Sequence, residues 1–262
     1  MITSRENPLV KRCRRLQASA KARREEGLFL AEGTRLCREA LDSGLRTEVI
    51  LATPEALARE PWLGERGEVL EITPEVAAAI ADTKSPQGVF CLCAIPEEPL
   101  FAIRPEGRYL LLDGLQDPGN LGTIIRGAEA FGVTALVLGQ GCPDRFSPKV
   151  LRSTMGGVFR LPVFRSGDLP GTIRQMREAG LTVWAAMLDP GARPIRQLPE
   201  EGGLGVVIGN EGSGVSRAAA GACDGAVYIP IAPRTESLNA AVAATVIMWE
   251  MSGRERGVGN GS

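Results

Sequence analysis

Three stretches of this chain place polar side chains among glycines at the ends of apolar runs: "DPGNLGTIIRGAEAFG" (117–132), "VVIGNEGSG" (206–214) and "YIPIAPRTESLN" (228–239). In the first, Asn120 is placed to cap a helix whose apolar face is Leu121, Ile124, Ile125 and Ala128. Gly122, Arg126 and Glu129 form a separate stripe. A helix dipole favours anions at its N-terminus, so a guanidinium near that end points to an anion or phosphate site beside it. The plain alternative is an Arg126–Glu129 surface pair worth ~0.2–0.5 kcal/mol. In the second stretch, glycines at 209, 212 and 214 permit close approach of backbone to a ligand, with Asn210 and Glu211 as polar groups. A simple strand-exit loop is the alternative. In the third, Ile229, Ile231 and Leu238 are suited to sandwich a flat ring, and Ser237 and Asn239 face outward at a helix mouth, where they also read as a capping box.

The remaining composition narrows the chemistry. The chain has 262 residues and no histidine. That excludes Ser-His-Asp and Cys-His catalysis, histidine-ligated metals and a histidine proton shuttle. The second stretch lacks the Gly-Lys-Ser/Thr ending of a phosphate-binding loop and does not carry the dinucleotide fingerprint. Six cysteines, at 13, 37, 91, 93, 142 and 223, include no C-x-x-C, so they read as reduced thiols and no metal is expected. No apolar run approaches the ~18 residues of a membrane span, and the N-terminus lacks a signal-peptide core. A cytoplasmic protein without a membrane partner is the expectation. Net charge is −1, yet residues 1–24 carry Arg5, Lys11, Arg12, Arg14, Arg15, Lys21, Arg23 and Arg24 against Glu6 alone. Such segregation implies an anionic partner at that end, with a solvated helix face as the bland reading.

The elements that must position these groups fall in two parts. Residues 1–98 read as a small alternating α/β module. Asn7-Pro8 opens a helix carrying Leu9, Cys13, Leu16 and Ala20 at helical spacing, and Gly27 closes it. "TEVILAT" and "GVFCLCAI" read as strands. "PEEPLFAIRPEG" reads as a linker. From 108 to 253, apolar strands alternate with helices: "YLLLD", a helix from Asn120 to Phe131, "TALVLG", a helix opened by Ser147-Pro148, "GTIRQMREAG", "LTVWAAML", "LGVVIG", "AVYIPI" and a closing helix after Asn239. This alternation predicts a mostly parallel sheet, whose ligands bind beyond the carboxyl ends of its strands. All three rims follow strands, so they fall on that edge together. "GRERGVGNGS" reads as a disordered tail.

In order and separation, "DPGNLGTIIRGAEAFGV", "VVIGNEGSGVS" and "IPIAPRTESLNAAVA" resemble the three motifs of the SpoU (TrmH-type) RNA 2'-O-ribose methyltransferases of the SPOUT superfamily. "SPKVLRSTMGGVFRLPV" fits the stretch between the first two. "FLAEGTRLCREAL" and "SPQGVFCL" resemble the small ribosomal-protein-like domain that often precedes the catalytic one. The resemblance implies an α/β fold in two domains: an RNA substrate-binding domain over 1–98, and a parallel-sheet SPOUT catalytic domain over 108–253 with a deep trefoil knot. It implies S-adenosyl-L-methionine as cofactor, a homodimer whose interface helps form each site, and structured RNA as substrate, ribosomal RNA favoured over tRNA. Residue by residue, Asn120, Arg126, Glu211, Ser237 and Asn239 fall on functional positions of the motifs, and Gly209, Ile229 and Leu238 on positions that bind the adenosyl group. The third motif departs at Ala232-Pro233-Arg234, which replaces a glycine-containing stretch.

On that resemblance, Arg126 acts through charge rather than as a base, because a guanidinium stays protonated in water. The expected roles of Asn120, Glu211, Ser237 and Asn239 are to orient the ribose and hold the loops, with Glu129 steadying the arginine. Two other classes remain: a non-catalytic RNA-binding dimer, and a nucleotide-binding oxidoreductase or NTPase on a doubly wound fold.

Overall fold

The computed structural model describes residues 1–98, 101–235 and 237–252. The tail after 252, Pro99 and Leu100 of the linker, and Glu236 in the third rim lie outside the described residues. Two compact units are present: Met1–Glu98 with Asp144–Arg160, and the described residues of Pro99–Pro143 with Leu161–Ser262. The segment Asp144–Arg160 lies between residues 108 and 253 in sequence but packs in the first unit.

In the first unit the elements are α1 (Pro8–Ala18), α2 (Ala20–Glu26), β1 (Leu28–Glu32), α3 (Thr34–Asp42), β2 (Thr47–Ala52), α4 (Pro54–Arg59), α5 (Trp62–Glu65), β3 (Val69–Glu71), α6 (Pro74–Ile80) and β4 (Val89–Ala94). The sheet order is β1-β4-β2-β3, with β4 antiparallel to both neighbours and β2 parallel to β3. Val10, Cys13 and Leu16 of α1 are buried against this sheet. The single helix expected up to Gly27 is two helices. Ser19 adopts an extended backbone and its side chain accepts from Ala22 N, so a local cap outcompetes helix continuation.

The chain continues through β5 (Arg108–Leu112), α7 (Pro118–Ala130), β6 (Ala135–Leu138), α8 (Pro148–Thr154, packed in the first unit), β7 (Val163–Arg165), α9 (Leu169–Glu178), β8 (Thr182–Ala186), β9 (Arg193–Pro194), β10 (Leu204–Ile208), α10 (Arg217–Ala222), β11 (Gly225–Tyr228) and α11 (Ala240–Met251). Seven strands form one sheet, ordered β7-β6-β5-β10-β8-β11-β9, and every pairing is parallel. Leu110, Leu111 and Leu112 are fully buried, as an unalternating strand inside a doubly covered sheet requires.

Cap chemistry starts the helices. Asn7-Pro8, Thr53-Pro54, Thr73-Pro74 and Asp117-Pro118 each pair a capping side chain with proline at the first helical position. This corrects the start of α7. Asp117, not Asn120, is the cap, and its carboxylate accepts from Asn120 N at 2.9 Å. Asn120 sits inside the first turn with its amide free for other work. α7 and α11 pack closely: a Cβ on Gly127 would lie 2.9 Å from Met248 Cε. Ile247 and Met248 are fully buried, each contributing roughly 2 kcal/mol of apolar burial.

Candidate functional site

The three rims meet at the carboxyl edge of the parallel sheet, and Glu211 joins the first two. Its carboxylate accepts from Gln116 N at 3.0 Å, Asp117 N at 3.1 Å and Asn120 Nδ2 at 2.9 Å. The third rim attaches through Asn120, whose Oδ1 accepts from Asn239 Nδ2 at 3.1 Å. Asn239 also caps α11, taking Ala241 N at 2.9 Å and Val242 N at 3.3 Å on its Oδ1. Asn239 therefore caps α11 with its oxygen, and its nitrogen reaches Asn120.

Glu211 is acidic in character. Burial pushes its carboxyl up, but hydrogen bonds from Asn120 and from the amides of Gln116, Glu211 itself and Asp117 outweigh this and hold it below the usual carboxylate range. A carboxylate so occupied is a poor proton acceptor at neutral pH and a good clamp. Asn210 completes the second rim. Its Nδ2 donates to Gly114 O at 2.8 Å, and its Oδ1 accepts from Gly212 N and Ser213 N at 2.8 and 3.0 Å. Asp113 Oδ2 takes Ser216 N at 2.7 Å.

Beside this network, at the ends of β8 and β11, lies a cleft of ≈ 210 Å³. Met187, Leu188, Ile229, Ile231 and Leu238 give it an aliphatic lining, and Ser237 lies at its edge. Ile229 and Leu238 are thus where a flat apolar group would pack. Gly209 is not among the lining residues. A Cβ there would lie 2.0 Å from Gly214 C, so glycine is required for the turn in which Asn210 and Gly214 exchange backbone hydrogen bonds. Where the third motif departs, the loop closes by Thr235 N donating to Ala232 O at 2.9 Å.

Arg126 stands apart. It is exposed on α7, and among the described residues no hydrogen bond or ion pair joins it to Asn120, Glu211, Ser237, Asn239 or Glu129. Gly122, placed on the same stripe, is buried in α7. Six positions along a helix separate Arg126 from Asn120 by about 120° of rotation, so the two point in different directions. Sequence reasoning missed the roles of Asp117, Asp113 and Asn210. The Asp-Pro pair at 117–118 is the available signal for the first, while the bonds of Asp113 to Ser216 and of Asn210 to Gly114 span long sequence separations that no local pattern reports.

The basic N-terminal end is paired in part, while Arg5, Arg14 and Arg24 stay exposed with no carboxylate partner among the described residues. Arg12 pairs with Glu26 at 2.5 Å and Glu48 at 2.9 Å, and Arg15 with Glu26 at 2.5 Å. Lys11 pairs with Glu6 at 2.7 Å. Arg23 is 3% exposed and pairs with Asp144 at 2.6 Å, so it faces the interior, not a ligand. Arg14, Arg35, Arg59 and Lys84 remain exposed with no carboxylate partner among the described residues. No helix among the described residues is long and apolar enough to cross a membrane, and none of their His, Cys, Asp and Glu side chains cluster as metal ligands.

Residues 107–249 match the SpoU rRNA Methylase family, and residues 7–91 match the MRM3-like substrate binding domain. The 23S rRNA (guanosine(2553)-2'-O)-methyltransferase RlmP of Bacillus subtilis is 36% identical over 253 residues, spanning 96% of this chain and 99% of that protein. The AdoMet-bound rRNA methyltransferase of Sinorhizobium meliloti superposes with a TM-score of 0.83 at 34% identity, covering 95% and 96% of the two chains. The SpoU methyltransferase AviRb of Streptomyces viridochromogenes, in complex with AdoMet, gives 0.84 at 28% identity, covering 94% and 97%. Motifs, sheet and relatives agree: the chain belongs to the SpoU rRNA Methylase family.

Proposed function

We propose that this protein transfers a methyl group from S-adenosyl-L-methionine to a ribose 2'-hydroxyl of ribosomal RNA. The observation that carries the proposal is the union of three rims through Glu211, Asn120 and Asn239 beside an aliphatic cleft. The cleft fits an uncharged ring system. At ≈ 210 Å³ it is smaller than whole-ligand pockets of roughly 300–1,000 Å³, so it accommodates the ring system rather than the whole cofactor. When bound, S-adenosylmethionine supplies a methyl group on a positively charged sulfur. Ile229, Ile231 and Leu238 would hold its ring, and the Glu211 clamp fixes the loops that would orient the ribose beside it. Glu211 itself takes no proton, because its carboxyl is held low by its donors.

Arg126 supplies charge: it binds the target phosphate and stabilises the alkoxide developing at the 2'-oxygen as its proton passes to that phosphate or to water. Its isolation within one subunit fits a homodimer in which it acts at a site completed by the partner subunit. Exposed apolar side chains support that assembly, with Val242 49% and Trp249 67% exposed on α11. The trefoil knot implied by the family belongs to the same proposal, as does action in the cytoplasm. The RNA-contacting cations are Arg14, Arg35, Arg59 and Lys84 rather than the paired arginines of α1. Gln87 gathers part of this group: its Oε1 accepts from Thr34 N at 2.8 Å and its backbone carbonyl from Arg59 at 3.2 Å. The rRNA-modifying relatives favour ribosomal RNA over tRNA. Mapping 2'-O-methylation in total RNA from cells with and without the gene tests the proposal. Loss of one ribosomal site supports it, and an unchanged ribosomal map contradicts it.

A further inference from the structure

Trp62 opens α5 in the first unit, and its ring is half-buried. The indole Nε1 donates to Glu60 Oε2 at 2.6 Å. Arg38 of α3 places its guanidinium carbon over the same ring, 4.6 Å from the centroid, and its Nη2 donates to the same Glu60 oxygen at 3.4 Å. One carboxylate thus holds an indole and a guanidinium one over the other. The Arg38 side chain is still 52% exposed, so the face of the guanidinium turned away from the indole is open to solvent. The mount is fixed by backbone: Glu60 N donates to Ala56 O at 2.9 Å, Glu60 O accepts from Leu63 N at 3.1 Å, and Leu63 is fully buried.

Cations without partners stand beside this pair. Arg35 lies three residues before Arg38 on the same exposed face of α3. Arg59 precedes Glu60 in the chain. Its Nη2 donates to Gln87 O at 3.2 Å, and Gln87 Oε1 accepts from Thr34 N at 2.8 Å, which ties Arg59 to the start of α3. Neither Arg35 nor Arg59 has a carboxylate partner among the described residues. The acids of this face are already occupied. Glu60 serves Trp62 and Arg38, Glu39 pairs with Arg160, and Asp42 pairs with Arg66 at 2.6 Å.

A planar cation backed by an indole and flanked by free arginines fits a nucleotide whose base is unpaired. Such bases stack on aromatic rings and guanidinium planes, and arginine takes the phosphates beside them. Inside a regular helix each base face is covered by its neighbours, so a duplex offers this surface phosphates alone. We propose that Trp62, Arg38 and Glu60 form a stacking platform for one unpaired nucleobase of the RNA, with Arg35 and Arg59 taking neighbouring phosphates. The proposal rests on RNA as the partner of this protein and names the part that the first unit reads: a bulged or looped nucleotide. The base stacks on the open face of the Arg38 guanidinium, with Trp62 behind it and Glu60 fixing both. Stacking needs only a π-face, so the platform senses an unpaired base without reading which base it is.

The test uses the full-length protein and two RNA probes, a short duplex and the same duplex carrying a single unpaired adenosine at its centre. Kd for each probe is measured across a salt series for wild type, Trp62→Ala, Trp62→Phe and Arg38→Lys. Wild type should prefer the bulged probe by about tenfold, the order of one base stack. Trp62→Ala and Arg38→Lys should bring the two probes within about twofold of each other, and Trp62→Phe should keep most of the preference because a ring remains. The salt slopes of all three variants should match wild type, since none removes a charge. Arg35→Ala should instead weaken both probes alike and flatten the slope. Arg38→Lys leaves the half-buried indole in place, so it decides the question if Trp62→Ala fails to fold. A wild type with no preference for the bulged probe, or a preference kept in Arg38→Lys or in a folded Trp62→Ala, overturns the platform. Binding is read without S-adenosylmethionine. A protein that transfers no methyl group would therefore sink the proposed function and still decide the platform, whereas one that methylates ribosomal RNA yet ignores the bulge would lose the platform alone.

Discussion

Removal of the Glu211 carboxylate is the sharpest perturbation of the site. Glu211→Ala deletes three hydrogen bonds, at 2.9, 3.0 and 3.1 Å, and with them the link between the first and second rims. The acceptor is charged, which raises the worth of each bond, but the residue is exposed, which lowers it. At about 1 kcal/mol net for each bond, the loss is roughly 3 kcal/mol. Each 1.36 kcal/mol is tenfold, so transfer should fall about 100-fold in kcat/KM. The fold should survive, because no buried core group is touched. The assay is methyl transfer from labelled S-adenosylmethionine to ribosomal RNA, with calorimetric cofactor titration and thermal unfolding as companions. A Glu211→Ala enzyme within threefold of wild type would refute the view that this carboxylate assembles the site. A collapse in thermal stability would show that it serves the fold instead.

Arg126→Ala should lower turnover severely and leave cofactor affinity within a few-fold; a collapse of cofactor binding would place Arg126 in the cleft instead. Gly209→Ala should destabilise by more than about 2 kcal/mol in thermal or denaturant unfolding, since its methyl would meet backbone at 2.0 Å. A stability equal to wild type would mean that the 209–214 turn relaxes freely. Glu211 has a folded pKa below its unfolded one, so its contribution is complete above the ordinary carboxylate range and is lost as pH falls through the lowered value. Wild type and Glu211→Gln should therefore share the shape of their rate profiles above about pH 5, and an acid limb at neutral pH that vanishes in Glu211→Gln would contradict this. Neutralising Arg35, Arg59 and Lys84 together should weaken RNA binding and flatten its salt dependence more than neutralising Arg12 and Arg15, and the reverse order would return the footprint to α1.

Much of this arrangement is legible in the sequence. Strand runs such as Tyr109–Leu112 and Leu204–Ile208 carry both burial and length in their composition, and glycines punctuate them. The convergence of the rims followed from a general property of parallel sheets rather than from any one residue. What stayed hidden has local causes. Asn120 looked like a cap because Asn caps helices, yet Asp117-Pro118 outcompetes it and releases its amide toward Glu211 and Asn239. The paired state of Arg12, Arg15 and Arg23 depends on Glu26, Glu48 and Asp144, and charge counting along the sequence does not see partners so placed. The packing of Asp144–Arg160 with the first unit rests on aromatic contacts of Phe29, whose partners lie over a hundred positions away in the chain.

The central claim is tested most directly by the chemistry of the product. Purified protein, S-adenosylmethionine with a labelled methyl group, and ribosomal RNA lacking the modification are incubated together, and the RNA is hydrolysed in alkali. A methylated 2'-oxygen blocks cleavage at its own linkage, so the account predicts label in an alkali-resistant dinucleotide, abolished by Arg126→Ala. Label released as a modified base in a mononucleotide, or no label in RNA at all, would contradict it.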